Sequence, residues 1–456
     1  MPGLDIIIVG AGLGGLGAAI ALRLAGHNVN ILEAAPQIGE VGAGIQTLPN
    51  SSKILRYWGV LDLVDPSRIC ETDTCNILDW RGNLISSMDM KHDAEEYSSP
   101  FYDLHRADLH KALYERAVQL GAQMHVGAEV TDVNFDEEHD FVFVNTKCAK
   151  NPSWKADLVV GADGLHSRCR QIVSGKVDAP RKTGDMAYRL LLDANEIVND
   201  SDLKSILEDK VVTYWYGPGA HVVTYAIRQR KLLNMVLLVP DDMPEDGPST
   251  LAGQVSEMQD LFKEWDPRIV SLLSKCKSVL RWRLSIWDPI ESWIHPSGSM
   301  VLLGDAVHAT LPYLASGAGM SFEDGAVLGE CLKGLDRDAF LKDKHKALAV
   351  YESCRMKRTN AIVAKGNLQQ DLNHLDDGPE QVARDEKMKA FAEIEKKRRA
   401  GDDIDWRSLS SSASRPLIPG EDPLVWRKFG AGEWLLSYDP VADVLKHQQN
   451  GLNGHK

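Results

Sequence analysis

Residues 4–35, LDIIIVGAGLGGLGAAIALRLAGHNVNILEAA, read as strand, turn, helix and strand. Ile6 to Val9 is an unbroken apolar run, the pattern of a parallel strand covered on both faces. Ala18 to Leu24 favours helix, Gly26 stops it, and NVNILE supplies a second strand. The connecting loop carries Gly10, Gly12 and Gly15 as G-x-G-x-x-G. The first glycine permits the tight turn, the second lets backbone approach a pyrophosphate, and the third lets helix and strand pack closely. The helix N-terminus then offers free N–H groups and partial positive charge to the phosphates. Glu33 ends the second strand, the position from which a carboxylate hydrogen-bonds a ribose hydroxyl. This βαβ unit predicts a Rossmann-like α/β domain but does not separate NAD from FAD.

Two later strand ends narrow the choice. ADLVVGADG closes an apolar run on Asp163-Gly164, with Ser167 and Arg170 close behind. MVLLGDA closes another on Gly304-Asp305, which puts a carboxylate at the carboxyl edge of the sheet, where ligands bind. Gly317-Ala318-Gly319-Met320 then opens a helix. A reduced isoalloxazine ring is anionic, and a glycine-bearing helix N-terminus would stabilise that charge.

Between these landmarks the texture changes. From about Lys176 to Pro289, segments such as KVVTYWYG, AHVVTYAIR and LLNMVLLVP are β-rich and punctuated by Gly, Pro and Asp. The expected fold is therefore α/β: a Rossmann-like parallel sheet, a mostly antiparallel substrate domain, and C-terminal helices. The expected boundaries are 1–175 for the first part of the dinucleotide-binding domain, 176–289 for the substrate domain, 290–370 for the return to the dinucleotide-binding domain, and 371–456 for a helical segment and tail. Helices are expected at about 107–120, 340–375 and 380–399, a linker at SSSASRPLIPGEDP, and fraying over HQQNGLNGHK.

Bulk composition excludes some partners. The formal net charge of −14 opposes nucleic acid and anionic membrane surfaces. The longest apolar stretches fall short of a transmembrane helix, and Ile6 to Leu24 lacks the basic flank of a signal peptide. Seven scattered cysteines form no Cys-x-x-Cys or other metal spacing, so no metal is expected and the thiols read as reduced, in a cytoplasmic protein.

The three glycine-bearing motifs in this order resemble the single-component, class A FAD-dependent aromatic monooxygenases, most closely the fungal salicylate-hydroxylase-like group. The resemblance covers nearly the whole chain, through VGAGIQTLPNS, HRADLH, VVGADGLHSRCR, WYGPGAHVVTYAIR, LLGDAVHATLPYLASGAGMSFEDGAVLG, GPEQVARD and the late YDP. It implies FAD as cofactor, NADPH or NADH as reductant, O2 and a small aromatic substrate as the other reactants, and oxygen transfer through a flavin C4a-hydroperoxide. Gly304-Asp305 would hold the ribityl chain, Asp163-Gly164 would serve both FAD and NAD(P)H, and Arg106, Ala43 and Val130 would also contact FAD. Pro312 would flank the reactive edge of the ring. With one G-x-G-x-x-G only, NAD(P)H would bind transiently across the domain cleft.

Arg189, in DMAYRLLL, is the candidate for favouring a phenolate, and Tyr225, in HVVTYAIR, is the next catalytic candidate. His221 and Trp215 are weaker candidates for pocket walls, and His308 reads mainly as a structural histidine. Ser316 stands where many members of the group carry Gln. The expected reaction is hydroxylation of a phenol, the alternative oxidation of an indole-containing metabolite. RWRLSIWDPI lacks the W-x-W-x-I-P spacing of flavin halogenases, and a non-catalytic dinucleotide binder is a remote reading. Either a monomer or a homodimer is compatible with the helical C-terminus.

Overall fold

The computed structural model of the chain describes residues 3–39, 42–136, 138–404, 418 and 420–453. Most of the expected linker, together with Val41 of VGAGIQTLPNS and the last three residues, lies outside the described residues.

The five-stranded sheet is parallel throughout, in the order Met300–Leu302, Leu158–Gly161, Asp5–Val9, Asn28–Glu33, Gln123–Val126. Its central strands are apolar because helices cover both faces; Ile6, Ile8, Leu158 and Met300 have no exposed surface. Helices Leu13–Leu24 and Gly317–Leu332 pack against each other at small residues: a Cβ on Gly325 would stand 3.0 Å from the backbone nitrogen of Ala18. That close approach fixes where the second helix begins.

The second sheet has eight strands, in the order 250–253, 279–286, 181–193, 232–240, 220–227, 211–217, 74–79, 84–89. It is antiparallel except where 211–217 runs parallel to 74–79. Two of its strands therefore come from the first 175 residues and not from 176–289. TCNILD and LISSMD are short, and pairing with a distant strand, invisible to local pattern, decides which sheet they join.

Alternation divides the faces of this sheet. Tyr188, Leu190, Trp215, Val222, Met235 and Leu237 turn one way, into a core closed by helices Val255–Leu261 and Pro267–Ser274. Arg189, Tyr214, His221, Val223, Tyr225, Val236 and Leu238 turn the other way, toward the parallel sheet. Arg189 pairs with Val236, Val236 with Val223, and Val223 with Tyr214, so one row of side chains crosses four strands.

The long helices run Arg337–Asn373 and Pro379–Arg399, close to expectation. The tail departs from it: Pro440–Asn453 is helical, anchored by the fully buried Val444, whose packing holds a segment that is polar in sequence.

Candidate active site

Because the central strands are parallel, Val9, Gly161 and Leu302 all end at one sheet edge. The loops that follow line a cavity of about 320 Å³. Gly12, Ala43, Arg106, Gly164, Gly304, Asp305, Pro312, Gly317 and Ala318 line one side. Arg189, Tyr214, His221, Val223, Tyr225, Val236 and Leu238 form the opposite wall. An adjoining cleft of about 420 Å³ is lined by Gly10, Gly12, Glu33, Val130, Asp163 and Gly164, among others. Gly12, Ala162 and Gly164 border both spaces. The two spaces thus adjoin along the glycine loop, as an adenine dinucleotide with a ring at its far end requires.

Local geometry fits that molecule. Gly10 has φ +102°, and a Cβ on Gly15 would lie 2.1 Å from the Gly10 carbonyl oxygen, so helix and strand touch there. A Cβ on Gly12 would meet nothing within 4 Å, which leaves the backbone open to a pyrophosphate. Glu33 accepts from the Ala11 N–H at 2.7 Å and from the Ala35 N–H at 2.8 Å, which fixes its carboxylate in the lining of the cleft. Asp163 accepts from the Ser167 hydroxyl and from the Cys169 N–H at 2.9 Å; it braces the next helix while its loop borders the cleft. Arg106 donates its backbone N–H to Ala43 at 2.9 Å, tying two cavity residues together.

Gly304 adopts φ +63° and ψ −147°, so that the chain turns sharply out of the strand and leaves the Asp305 carboxylate exposed to the cavity. The helix Gly317–Leu332 has no side-chain cap. Ser316 donates instead to the Leu314 carbonyl at 2.8 Å, so the first-turn N–H groups face the cavity with the positive end of the helix dipole. Gly319 is not in the wall; its open side packs on Ser51, where a Cβ would stand 3.3 Å from the Ser51 Cβ. Trp215 is on the far face of the large sheet, its indole N–H donating to Asp266 at 2.8 Å.

The opposite wall carries unusual electrostatics. Burial pulls the Arg189 guanidinium below its ordinary pKa, and the nearby Arg106 adds to that; Tyr225 opposes it. Arg189 Nε is buried with no hydrogen-bond partner, and its guanidinium stands 4.8 Å from the Trp282 ring centre. Burial also pushes the Tyr225 phenol up, with Asp103 adding and Arg189 opposing, so it stays a donor. His221 Nδ1 lies 2.7 Å from His374 Nε2. Burial pulls His221 well below the usual histidine range and His374 down to about 4, so both are neutral near pH 7.

Motif reading missed the charges that hold this edge together. Asp324 accepts from the Gly304 N–H at 3.0 Å, lies 2.6 Å from His308 Nε2, and accepts from Arg355 Nε at 2.8 Å. Glu323 accepts from Asn50 at 2.6 Å and pairs with Arg355 and Arg358 at 2.8 Å. Arg358 also donates to the Trp434 and Leu435 carbonyls, bringing in the C-terminal segment. The signal was present in FEDG, two adjacent acids inside a mostly apolar helix, since buried carboxylates require partners. Arg170, fully buried, donates to the Asp288 and Val307 carbonyls and so links the second glycine motif to the third.

Residues 3–365 match the FAD binding domain family, and the chain belongs to it. It is an FAD-dependent monooxygenase of the class A aromatic hydroxylase type. Among its relatives, the FAD-dependent monooxygenase OpS4 of Beauveria bassiana is 40% identical over 390 residues, 84% of this chain and 89% of that protein. The 3-hydroxybenzoate 6-hydroxylase of Klebsiella oxytoca is 33% identical over 364 residues, 78% of this chain and 85% of that protein. In fold, the chain is similar to a salicylate hydroxylase substrate complex, with a TM-score of 0.75, 22% identity and 98% of each chain covered. Among the described residues no helix is long and apolar enough to cross a membrane.

The Gly304–Asp305 turn carries a direct prediction. A carboxylate accepting from ribityl hydroxyls contributes about 1.5–3 kcal/mol, so Asp305→Ala is expected to weaken FAD binding about 10- to 100-fold. The purified variant should be largely colourless; full retention of flavin by absorbance would remove Asp305 from the cofactor contacts.

Proposed function

We propose that the enzyme consumes NAD(P)H and O2 to insert one oxygen atom into an aromatic ring that carries an ionisable hydroxyl. The observation that carries this reading is Arg189: a half-buried side chain in the wall facing the glycine loops, with its Nε–H buried and without a partner. A half-buried cation without a carboxylate partner favours an anionic ligand and lowers the pKa of a phenol placed beside it.

The other wall residues suit a ring. Val223, Val236, Leu238 and Leu311 offer apolar surface, and Tyr214 offers an aromatic edge. Tyr225, kept protonated, can donate to a phenolate oxygen or a ring substituent. His221 is neutral and lines the cavity; with Nδ1 engaged by His374, its Nε2 can accept a hydrogen bond from a ring substituent. Bound FAD supplies the redox chemistry, taking reducing equivalents from the nicotinamide and activating O2. The chain's own task is to orient the ring, exclude water and hold the substrate as its anion. Arg106, Arg189 and the helix N-terminus at Gly317 all place positive potential around the shared space.

The test is a panel of hydroxylated benzoates, simple phenols and indoles. A substrate should stimulate NAD(P)H consumption and yield a product heavier by one oxygen atom. Stimulation by indoles without a hydroxyl, and not by phenols, would overturn the phenolate reading.

A further inference from the structure

Outside the cavity, the C-terminal helix 440–453 lies against the long helix 337–373. At that contact Cys354, Asp443 and His447 bring one sulfur, one oxygen and one nitrogen within 4.8 Å of one another. No other group of this kind occurs among the described residues. We propose that these three side chains form a site for a divalent transition cation of zinc type, which pins the C-terminal helix to the body of the enzyme.

The separations match coordination. Cys354 Sγ stands 3.4 Å from His447 Nδ1, and His447 Nδ1 stands 3.3 Å from Asp443 Oδ1. Bonds of about 2.0–2.3 Å in a tetrahedral zinc site place neighbouring ligand atoms about 3.3–3.8 Å apart. Thiolate, imidazole and carboxylate together suit zinc or cobalt better than the hard cations calcium and magnesium. Asp443 and His447 are one helical turn apart and so share a face. The Tyr438 hydroxyl donates to the other carboxylate oxygen, Asp443 Oδ2, at 2.8 Å, the outer support that orients a ligand carboxylate. Cys354 is nearly buried, while the His447 side chain is 33% exposed and Asp443 21%. Solvent therefore reaches one side, which leaves a path in and a fourth position for water.

Binding balances as follows. The Cys354 thiol, held protonated by burial, loses its proton to solvent as the metal–sulfur bond forms. His447 stays neutral but moves its proton to Nε2, giving up the contact from Nδ1 to the Asp443 carbonyl at 3.0 Å. Motif reading could not see this site, because its ligands are separated by about 90 residues and meet only through helix packing.

The test uses the FAD-loaded full chain, titrated with zinc in competition with a chelating indicator. One zinc per chain is expected to bind to the wild type, and the affinity should fall about 100-fold in both Cys354→Ser and His447→Gln. Flavin absorbance should be unchanged in both. Cobalt should give a four-coordinate spectrum in the red, where oxidised FAD does not absorb, and Cys354→Ser should abolish it. Zinc should raise the melting temperature of the wild type but not of His447→Gln. Equal zinc uptake by the wild type and the two variants, or a cobalt spectrum that survives loss of the sulfur, would overturn the site. Neither readout depends on the substrate or on turnover.

Discussion

Asp324→Ala is expected to destabilise the protein by about 3–5 kcal/mol, the usual cost of removing one partner from a buried charged network. Asp324 and Arg355 are both fully buried, and His308 nearly so. Without the carboxylate, the Arg355 Nε–H, the His308 ring and the Gly304 N–H all lose an acceptor in the interior. The last of these changes bears on function, because Gly304 holds the turn that presents Asp305. The variant should therefore lose FAD as well as stability. The urea midpoint of the FAD-loaded protein should fall while its m-value stays constant. Unchanged midpoint and flavin content would mean that the network does not support the turn.

The same residue makes a pH prediction. Burial alone would raise the Asp324 pKa, but the His308 and Arg355 charges outweigh it and hold the carboxyl at about 2, below its ordinary 3.8. A depressed pKa contributes stability that is present above the ordinary value and is lost as pH falls through the folded one. The shift corresponds to about 2 kcal/mol, lost between about pH 4 and pH 2. Asp324→Ala should flatten the stability profile of the folded protein over that range. An equally steep acid limb in the variant would assign the loss to other carboxylates.

The candidate cofactor half of the site could be proposed from the sequence because its parts are local. A G-x-G-x-x-G loop, an acid at a strand end and a glycine-opened helix each declare themselves within a few residues. The parallel sheet edge then gathers them without further information. Gly319 shows where that logic stops: it belongs to the same motif, yet its missing side chain serves packing on Ser51. The substrate wall was only half legible. Arg189 and Tyr225 could be singled out, but what faces them depends on alternation across four strands and on register. Trp215 and Tyr214 are neighbours in sequence, and a single-residue step puts them on opposite faces of the sheet. His374 was invisible for a different reason, because it closes a long helix about 150 residues beyond its partner His221.

Arg189→Ala should separate cofactor binding from oxygen transfer. The proposed FAD contacts lie in loops at the parallel sheet edge, whereas Arg189 belongs to the large sheet, so flavin content should be normal. NAD(P)H oxidation should continue, but product formation should drop about 100- to 1,000-fold, in line with loss of one preorganised charge at a reacting centre. The reducing equivalents should appear as hydrogen peroxide. The pH dependence gives a second readout. A guanidinium lowers the pKa of a neighbouring phenol by about 1–3 units, so without it the substrate must ionise unaided. The rising limb of product formation should therefore move to higher pH in the variant. Arg189→Lys should restore part of the charge effect but not the planar contact with Trp282, which the guanidinium meets at 4.8 Å from the ring centre. Normal coupling in Arg189→Ala, with an unshifted limb, would show that the anion is stabilised elsewhere in the wall, with Arg106 the next cation to test.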